Sequence, residues 1–303
     1  MSAKTRTVES LDHTASLYAV AMTHGQELAQ PSGVWATAVG VARVRALETE
    51  RENALFRDPL ARAFAIAGGL RSSSPPPADE AERRRRQGVA FSIVVRTKFL
   101  DELLQHASAS GIRQVVLLGA GMDSRAFRMD WPEGTRLFEV DTAAPLDFKA
   151  AVLSKERAVA RCERIAVAAD LRADWPSALV AAGHDPAAPT VWIAEGLLIY
   201  LPDDAVELLL DRIGAQSAAG SRMGLTLGSR GVIERFGAEA EPGSAASMWV
   251  SEMPDDPVAW LAGHGWKATC HTLRERGAAY GRPIGTPPQR EERPGGLISA
   301  ILR

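Results

Sequence analysis

The stretch "VVLLGAGMDSRAFRMDWPEGTRLFEVD", residues 115–141, constrains the fold more than any other part of the chain. Four aliphatic residues run into Gly119-Ala120-Gly121, and a second apolar run ends on Asp141, twenty positions after Gly121. A strand, a glycine turn, a helix and a second strand closing on an acid is the layout of a nucleotide-binding β-α-β unit. Glycine permits the sharp turn and lets a ligand approach the main chain. The third glycine of a dinucleotide fingerprint is missing, with Ser124 in its place. The loop therefore poses a question about which ligand it serves.

The chain downstream alternates strand and helix. Short, nearly continuous apolar runs at 114–119, 136–141, 164–170, 190–196 and 222–228 read as parallel strands buried on both faces. Helical segments at 143–160, 174–182 and 203–220 lie between them. Late strands at 266–272 and 295–303 are expected to supply an antiparallel edge. Upstream, residues 13–68 read as helices broken by "PSG" at 31–33, with Asp58-Pro59 opening a short one. The segment 71–88 combines prolines, serines and charge and reads as a flexible connection, and its four arginines at 83–86 read as a solvated helix start. A long helix then runs from residue 89 towards Gly111. The expected division is a helical N-terminal extension over 1–110, acting as a lid, and a Rossmann-like α/β domain over 111–303.

Composition narrows the classes. At 303 residues, 46% hydrophobic and 24% charged, the chain is ordinary for a globular protein with a large core. A net charge of -2 provides no global field for nucleic acid, so no nucleic-acid partner is expected. No apolar run reaches the ~18 residues of a membrane span, and the N-terminus lacks the layout of a secretory signal. Cys162 and Cys270 form no disulfide framework, which points to a reduced, cytoplasmic compartment.

Charge at the strand ends gives the loop its meaning. Asp141 ends the second strand, where an acid chelates a ribose diol; Asp170 ends the third, in reach of an adenine amine; Glu195 ends the fourth. Such a negative rim disfavours a pyrophosphate and favours a cofactor with cationic centres. S-adenosylmethionine, with its sulfonium and ammonium, fits it. Arg96, on the helix feeding the first strand, is placed to clamp the cofactor's one carboxylate.

"LLGAGMDSRAFRMDWP", "LFEVDTAAPLDFKAAVL", "AADLRADWP" and "WIAEGLLIYLP" closely resemble the motifs of the leucine carboxyl methyltransferase family. The resemblance is nearest to its bacterial branch, which includes polyketide O-methyltransferases, and covers residues 35–230 well. It implies a class I methyltransferase fold that uses S-adenosyl-L-methionine and releases S-adenosyl-L-homocysteine. It also implies that Arg96 holds the cofactor carboxylate, that Gly119, Ala120 and Gly121 approach its amino-acid part, and that Asp141 binds the ribose. Asp170 and Leu171 resemble the adenine-binding step, and Glu195 the acid beside the methionine moiety. An upstream basic contact known in some relatives does not align to one of Arg43, Arg45 and Arg51.

The expected reaction is methyl transfer to a carboxylate or phenolic oxygen of a small metabolite, or to a peptide C-terminus. A carboxylate, with a pKa near ~4, needs no base, whereas a phenol near ~10 benefits from one. None of the six histidines shows metal-ligand spacing, so no metal is expected. His24 is the histidine placed to act as a base, and Tyr200, just past the fourth strand, is a candidate for the pocket wall. Met248 and Trp249, in the 231–254 segment, are candidates for an apolar wall over the acceptor. Two rival readings stand beside this one. A nicotinamide-dependent dehydrogenase shares the layout up to Asp141 but gives Arg96 and Glu195 no role. A non-catalytic cofactor-binding protein keeps the fold without transfer. The sequence does not fix the oligomeric state.

Overall fold

The computed structural model describes residues 33–69, 78–228, 248–251, 254–284 and 296–303. The first helical segment of the sequence reading and His24 lie outside them, as do residues 71–77 of the connection and 231–247 of the insertion.

Seven strands form one sheet in the order β3-β2-β1-β4-β5-β7-β6. These are β1 (Gln114–Leu118), β2 (Arg136–Asp141), β3 (Glu163–Ala168), β4 (Thr190–Ala194), β5 (Arg222–Thr226), β6 (Trp266–His271) and β7 (Leu297–Leu302). The first five run parallel, and β7 lies antiparallel between β5 and β6, so the expected antiparallel edge is present. The order reverses between β1 and β4, which makes their carboxyl ends the switch point of the fold.

Alternation along β1 explains why both faces are covered. Val116 and Leu118 face a core built with Phe138, Trp192, Trp175 of α6 (Trp175–Ala181) and Leu209 and Ile213 of α7 (Asp203–Ala215). Val115 and Leu117 face the opposite core, with Leu100 and Leu104 of α3 (Glu80–Ala109) and Ala126 of α4 (Arg125–Arg128). Each fully buried large apolar side chain contributes about 1.5–3 kcal/mol relative to exposure. A third cluster docks α1 (Gly33–Thr49) and α2 (Ala61–Ala67) onto α5 (Ala143–Lys155) through Ala42, Phe64, Phe148 and Val152.

Two sequence expectations change here. The long helix begins at Glu80 and not at 89, so residues 80–88 are helical instead of part of a flexible connection. The cause is local: Asp79 caps the helix by accepting from the Glu82 amide at 2.7 Å, and Arg83 and Arg84 pair with Glu80 one turn away. The four arginines are exposed, as a solvated helix start requires. Second, α3 was grouped with the N-terminal extension, yet its buried stripe forms one of the layers on the sheet. Two short helices that the sequence reading left unassigned, α8 (Pro257–Gly263) and α9 (Leu273–Ala279), flank β6.

Candidate functional site

Register brings the predicted residues to the switch point. Leu118 pairs with Val140 and Leu117 with Ile193, so continuing both registers past the strand ends puts Asp141 and Glu195 on the two flanks of Gly119. Gly119 and Gly121 both have positive φ, +62° and +42°, in the left-handed region where glycine is favoured. Space adds to this constraint: a Cβ on Gly119 would lie 2.9 Å from Leu197 Cδ1, and one on Gly121 would lie 3.0 Å from the Ala38 Cβ of α1.

The loop's amides have protein partners. Gly119 and Ala120 donate to the Val140 carbonyl at 2.9 and 3.2 Å, and Gly121 donates to Asp141 Oδ2 at 2.8 Å. Such a loop is not a nest of free N–H groups for a diphosphate. Asp141 Oδ1 accepts from the Thr142 amide at 2.7 Å, so backbone groups orient both carboxylate oxygens. Each oxygen retains a second acceptor direction. Burial raises the Asp141 carboxyl above the usual range despite these two amides.

Glu195 is the centre of a charge cluster. Its Oε1 accepts from Arg96 Nε at 3.0 Å and lies 3.4 Å from the Thr97 hydroxyl, while its Oε2 accepts from Arg125 at 2.8 Å. Gly196, with φ +62°, leaves room for the Arg96 guanidinium: a Cβ there would lie 3.2 Å from Nη2. Burial works against the charge on Glu195, but Arg125 and Arg96 outweigh it and hold the carboxyl below the usual glutamate range.

The sequence reading missed Arg125. Its side chain is 1% exposed and bridges Asp101 on α3 at 2.7 Å, Asp123 in the glycine loop, and Glu195. Arg128 meets Asp101 from the other side at 2.7 Å. Burial disfavours ionised Asp123, yet Arg125, Lys149, Arg45 and Arg128 bring its carboxyl down to about 2. The signal lay in "DSRAFR", charged residues inside a buried turn, but their partner Asp101 is remote in sequence. Among the three open upstream arginines, Arg45 is the buried one; it pairs with Asp58 at 2.9 Å and donates to the Met122 carbonyl. It ties α1 to the glycine loop.

The remaining candidates are placed differently. Asp170 is partly exposed and chelated by its neighbour Arg172 at 2.7 Å, a contact that lowers its carboxyl. The side chain of Leu171 packs into the core, and Ala120 packs against the α3 layer. Tyr200, in the 3-10 turn Leu198–Tyr200, puts its hydroxyl 3.5 Å from Thr37 Oγ1 on α1. A cavity of about 340 Å³ opens beside that turn, lined by Leu198, Asp203, Val206, Glu207, Leu227 and Trp260 among others; neither Tyr200 nor Met248 and Trp249 line it. The described histidines have other partners: His106 the Glu102 carbonyl, His184 Thr190 at the start of β4, His264 Glu207 and Asp211, and His271 the ring of Phe99. No described helix is long and apolar enough to cross a membrane.

A glycine turn, a backbone-oriented aspartate and a paired arginine and glutamate thus meet at the switch point of an α/β sheet, where such folds bind their ligands. Comparison with known proteins gives the family. Residues 38–214 match the leucine carboxyl methyltransferase family, and the chain belongs to it. It is 85% identical over 283 residues to a Streptomyces avermitilis protein, covering 93% of this chain and all of that one. It is 81% identical over 283 residues to a Streptomyces coelicolor protein, with the same coverage. Both are named provisionally as S-adenosyl-L-methionine-dependent methyltransferases. A Mycobacterium tuberculosis relative with that provisional name is 40% identical over 289 residues, covering 89% of this chain and 92% of its own. Among solved structures, a DUF574 family protein from Streptomyces avermitilis superposes with a TM-score of 0.55 at 16% identity, over 86% of this chain and 97% of that one, and supports the fold alone. The cofactor is S-adenosyl-L-methionine, and the dehydrogenase reading falls with that assignment.

Proposed function

We propose that the chain is an O-methyltransferase acting on the carboxylate of a small metabolite. The observation that carries the cofactor site is the Arg96–Glu195 pair beside Gly119. A guanidinium and a carboxylate 3.0 Å apart form a receptor for an amino-acid zwitterion, carboxylate on Arg96 and ammonium on Glu195. Asp141 takes the ribose hydroxyls. Asp170 and Leu171 border the adenine, with Asp170 turning from Arg172 to the exocyclic amine.

S-adenosyl-L-methionine supplies an already activated methyl group on its sulfonium. What the protein adds is alignment of the acceptor oxygen and exclusion of water. Leu197 and Ala38 pack beside the glycine turn and supply apolar surface there. The preference for a carboxylate rests on proton chemistry: a carboxylate arrives ionised, and each described histidine is engaged away from Gly119, Asp141 and Glu195. The 340 Å³ cavity beside the turn after Glu195 has the size of a small-molecule site, and its acids Asp203, Glu207 and Asp255 favour placing only the uncharged body of the acceptor in it. That size favours a metabolite over a peptide terminus. The helices before the sheet act as a cover, and α1 is anchored through Arg45.

The test is a screen of carboxylic acids and phenols with methyl-labelled cofactor, read by mass spectrometry. Label on a carboxylic acid as a base-labile ester supports the proposal. Label confined to phenols, or to nitrogen or carbon, overturns it.

A further inference from the structure

The two guanidiniums on Glu195 are held in unlike ways. Arg96 touches it through Nε alone, and its side chain is 19% exposed. Arg125 is 1% exposed and fixed at both ends. Its guanidinium reaches Asp101 at 2.7 Å, Asp123, and Glu195 at 2.8 Å. Its amide donates to Asp123 Oδ1 at 2.7 Å, and its carbonyl accepts from the Trp131 indole at 2.9 Å. One of these arginines is free to change partner without dismantling the cluster. The other is not.

We infer that Arg125 is a positioning residue for cofactor binding: it holds Glu195 in place so that Arg96 alone exchanges partner when the cofactor's amino-acid end arrives. The inference rests on the reading of Arg96 and Glu195 as the receptor for that end. Charge supports it. Asp101, Asp123 and Glu195 balance Arg96, Arg125 and Arg128 through the ion pairs between them. Moving Arg96 onto a carboxylate while an ammonium joins Glu195 keeps the balance, since one cation leaves the glutamate as another arrives. Arg125 meanwhile retains Oε2, and Thr97 remains near Oε1. Without the Arg125 anchor, a buried glutamate that loses Arg96 faces only the ligand and the more remote Arg45, with Asp123 opposing its charge. The charged groups that face it are thus Arg96 on α3, Arg125 and Asp123 on the loop and α4, and Arg45 on α1, with Asp101 and Arg128 behind Arg125.

The experiment is calorimetric titration of S-adenosylhomocysteine into the full chain and three variants, from about pH 8 down to about pH 5, with folding checked by circular dichroism. Arg125→Lys keeps a charge but not the three-way fork, and so tests the anchor with less risk of unfolding than removal of the cation. In the native chain Glu195 remains ionised throughout, so the pH dependence should be only that of Asp141, whose carboxyl burial raises. Arg125→Lys should weaken binding by on the order of tenfold, and increasingly so towards acid, as a glutamate without the short guanidinium contact to its Oε2 protonates more readily and loses its attraction for the ammonium. Glu195→Gln should be weak at every pH. The double variant Arg125→Lys/Glu195→Gln should bind no more weakly than Glu195→Gln. If Glu195→Gln is weak but Arg125→Lys binds normally, or its loss is pH-independent and adds to that of Glu195→Gln, Arg125 is structural and the inference fails alone. If Glu195→Gln binds normally, the receptor reading fails and the inference with it.

Discussion

Two buried ionic clusters of similar composition serve this fold in opposite ways. Around Glu139, in the middle of β2, Lys149 of α5 lies at 2.8 Å and Arg164 of β3 at 2.6 Å, with both Glu139 and Lys149 at 0% side-chain exposure. Around Glu195, at the end of β4, the partners lie at similar distances, but Arg96 is partly exposed and faces a glycine. The first cluster is sealed from solvent: it joins β2, β3 and α5, and Lys149 reaches the site only through its charge on Asp123 and Asp141. The second has one movable member. The difference is position along the strand. A glutamate in mid-strand is sealed by the layers above and below, whereas one just past the strand end meets the crevice where ligands bind.

Breaking the comparison begins with the largest effect. Arg125→Met leaves Asp101, Asp123 and Glu195 short of their shared cation and should destabilise the protein by about 3–5 kcal/mol, measured by urea unfolding. Lys149→Met should follow at about 3 kcal/mol, since Glu139 retains only Arg164. The clusters separate in the binding assay: Lys149→Met should leave the affinity of the surviving folded fraction for S-adenosylhomocysteine within about threefold. Affinity lost in proportion to stability would make both clusters mere struts.

Arg96→Ala should show the reverse pattern. Affinity should fall by about 1.5–3 kcal/mol with stability changed by less than ~1 kcal/mol, because the arginine has one protein partner and partial exposure. Asp141→Ala should weaken binding by roughly 1–3 kcal/mol through loss of the ribose contact. Unchanged affinity in both would dissolve the site as drawn.

Acid titration sharpens the contrast once His184 is accounted for. Burial among Phe138 and Trp192 lowers its pKa to about 4, so the folded chain keeps it neutral where the unfolded chain protonates it. Its contribution to stability is full above the unfolded value of about 6.5 and declines as pH falls towards about 4. His184→Gln should flatten that slope in pH-dependent unfolding, and whatever acid sensitivity persists belongs to the carboxylates and to His271, whose pKa burial also lowers. The smallest effect is a control: Arg84→Ala, on the exposed helix start, should change stability by no more than ~0.5 kcal/mol.

The glycine turn, the strand-end acids and Arg96 were legible because each lies within or next to a strongly periodic element. Arg125 was not. "DSRAFR" reads as a surface turn until Asp101 and Glu195 are known to converge on it, and no local spacing encodes that convergence. The start of α3 was misread for the opposite reason: prolines and like charges suggest a connection, while the Asp79 cap and the Glu-Arg pairs act one turn away and stabilise a helix. Asp170 shows a third limit: the sequence reading makes it the last residue of the third strand, whereas β3 closes at Ala168 and Asp170 lies in the loop beyond, paired with Arg172.

The sequence by itself determined the parallel sheet, the place of the turn at Gly119 and the residue types able to greet a cationic cofactor, because apolar period and glycine conformation are local properties. Only the tertiary structure decided which charges share a site. Ion pairs across 70 to 99 residues, Arg125 to Glu195 and Arg96 to Glu195, form when packing of α3 and α4 on the sheet removes water from between them. Hydrophobic burial sets that geometry, and the charges are arranged within it.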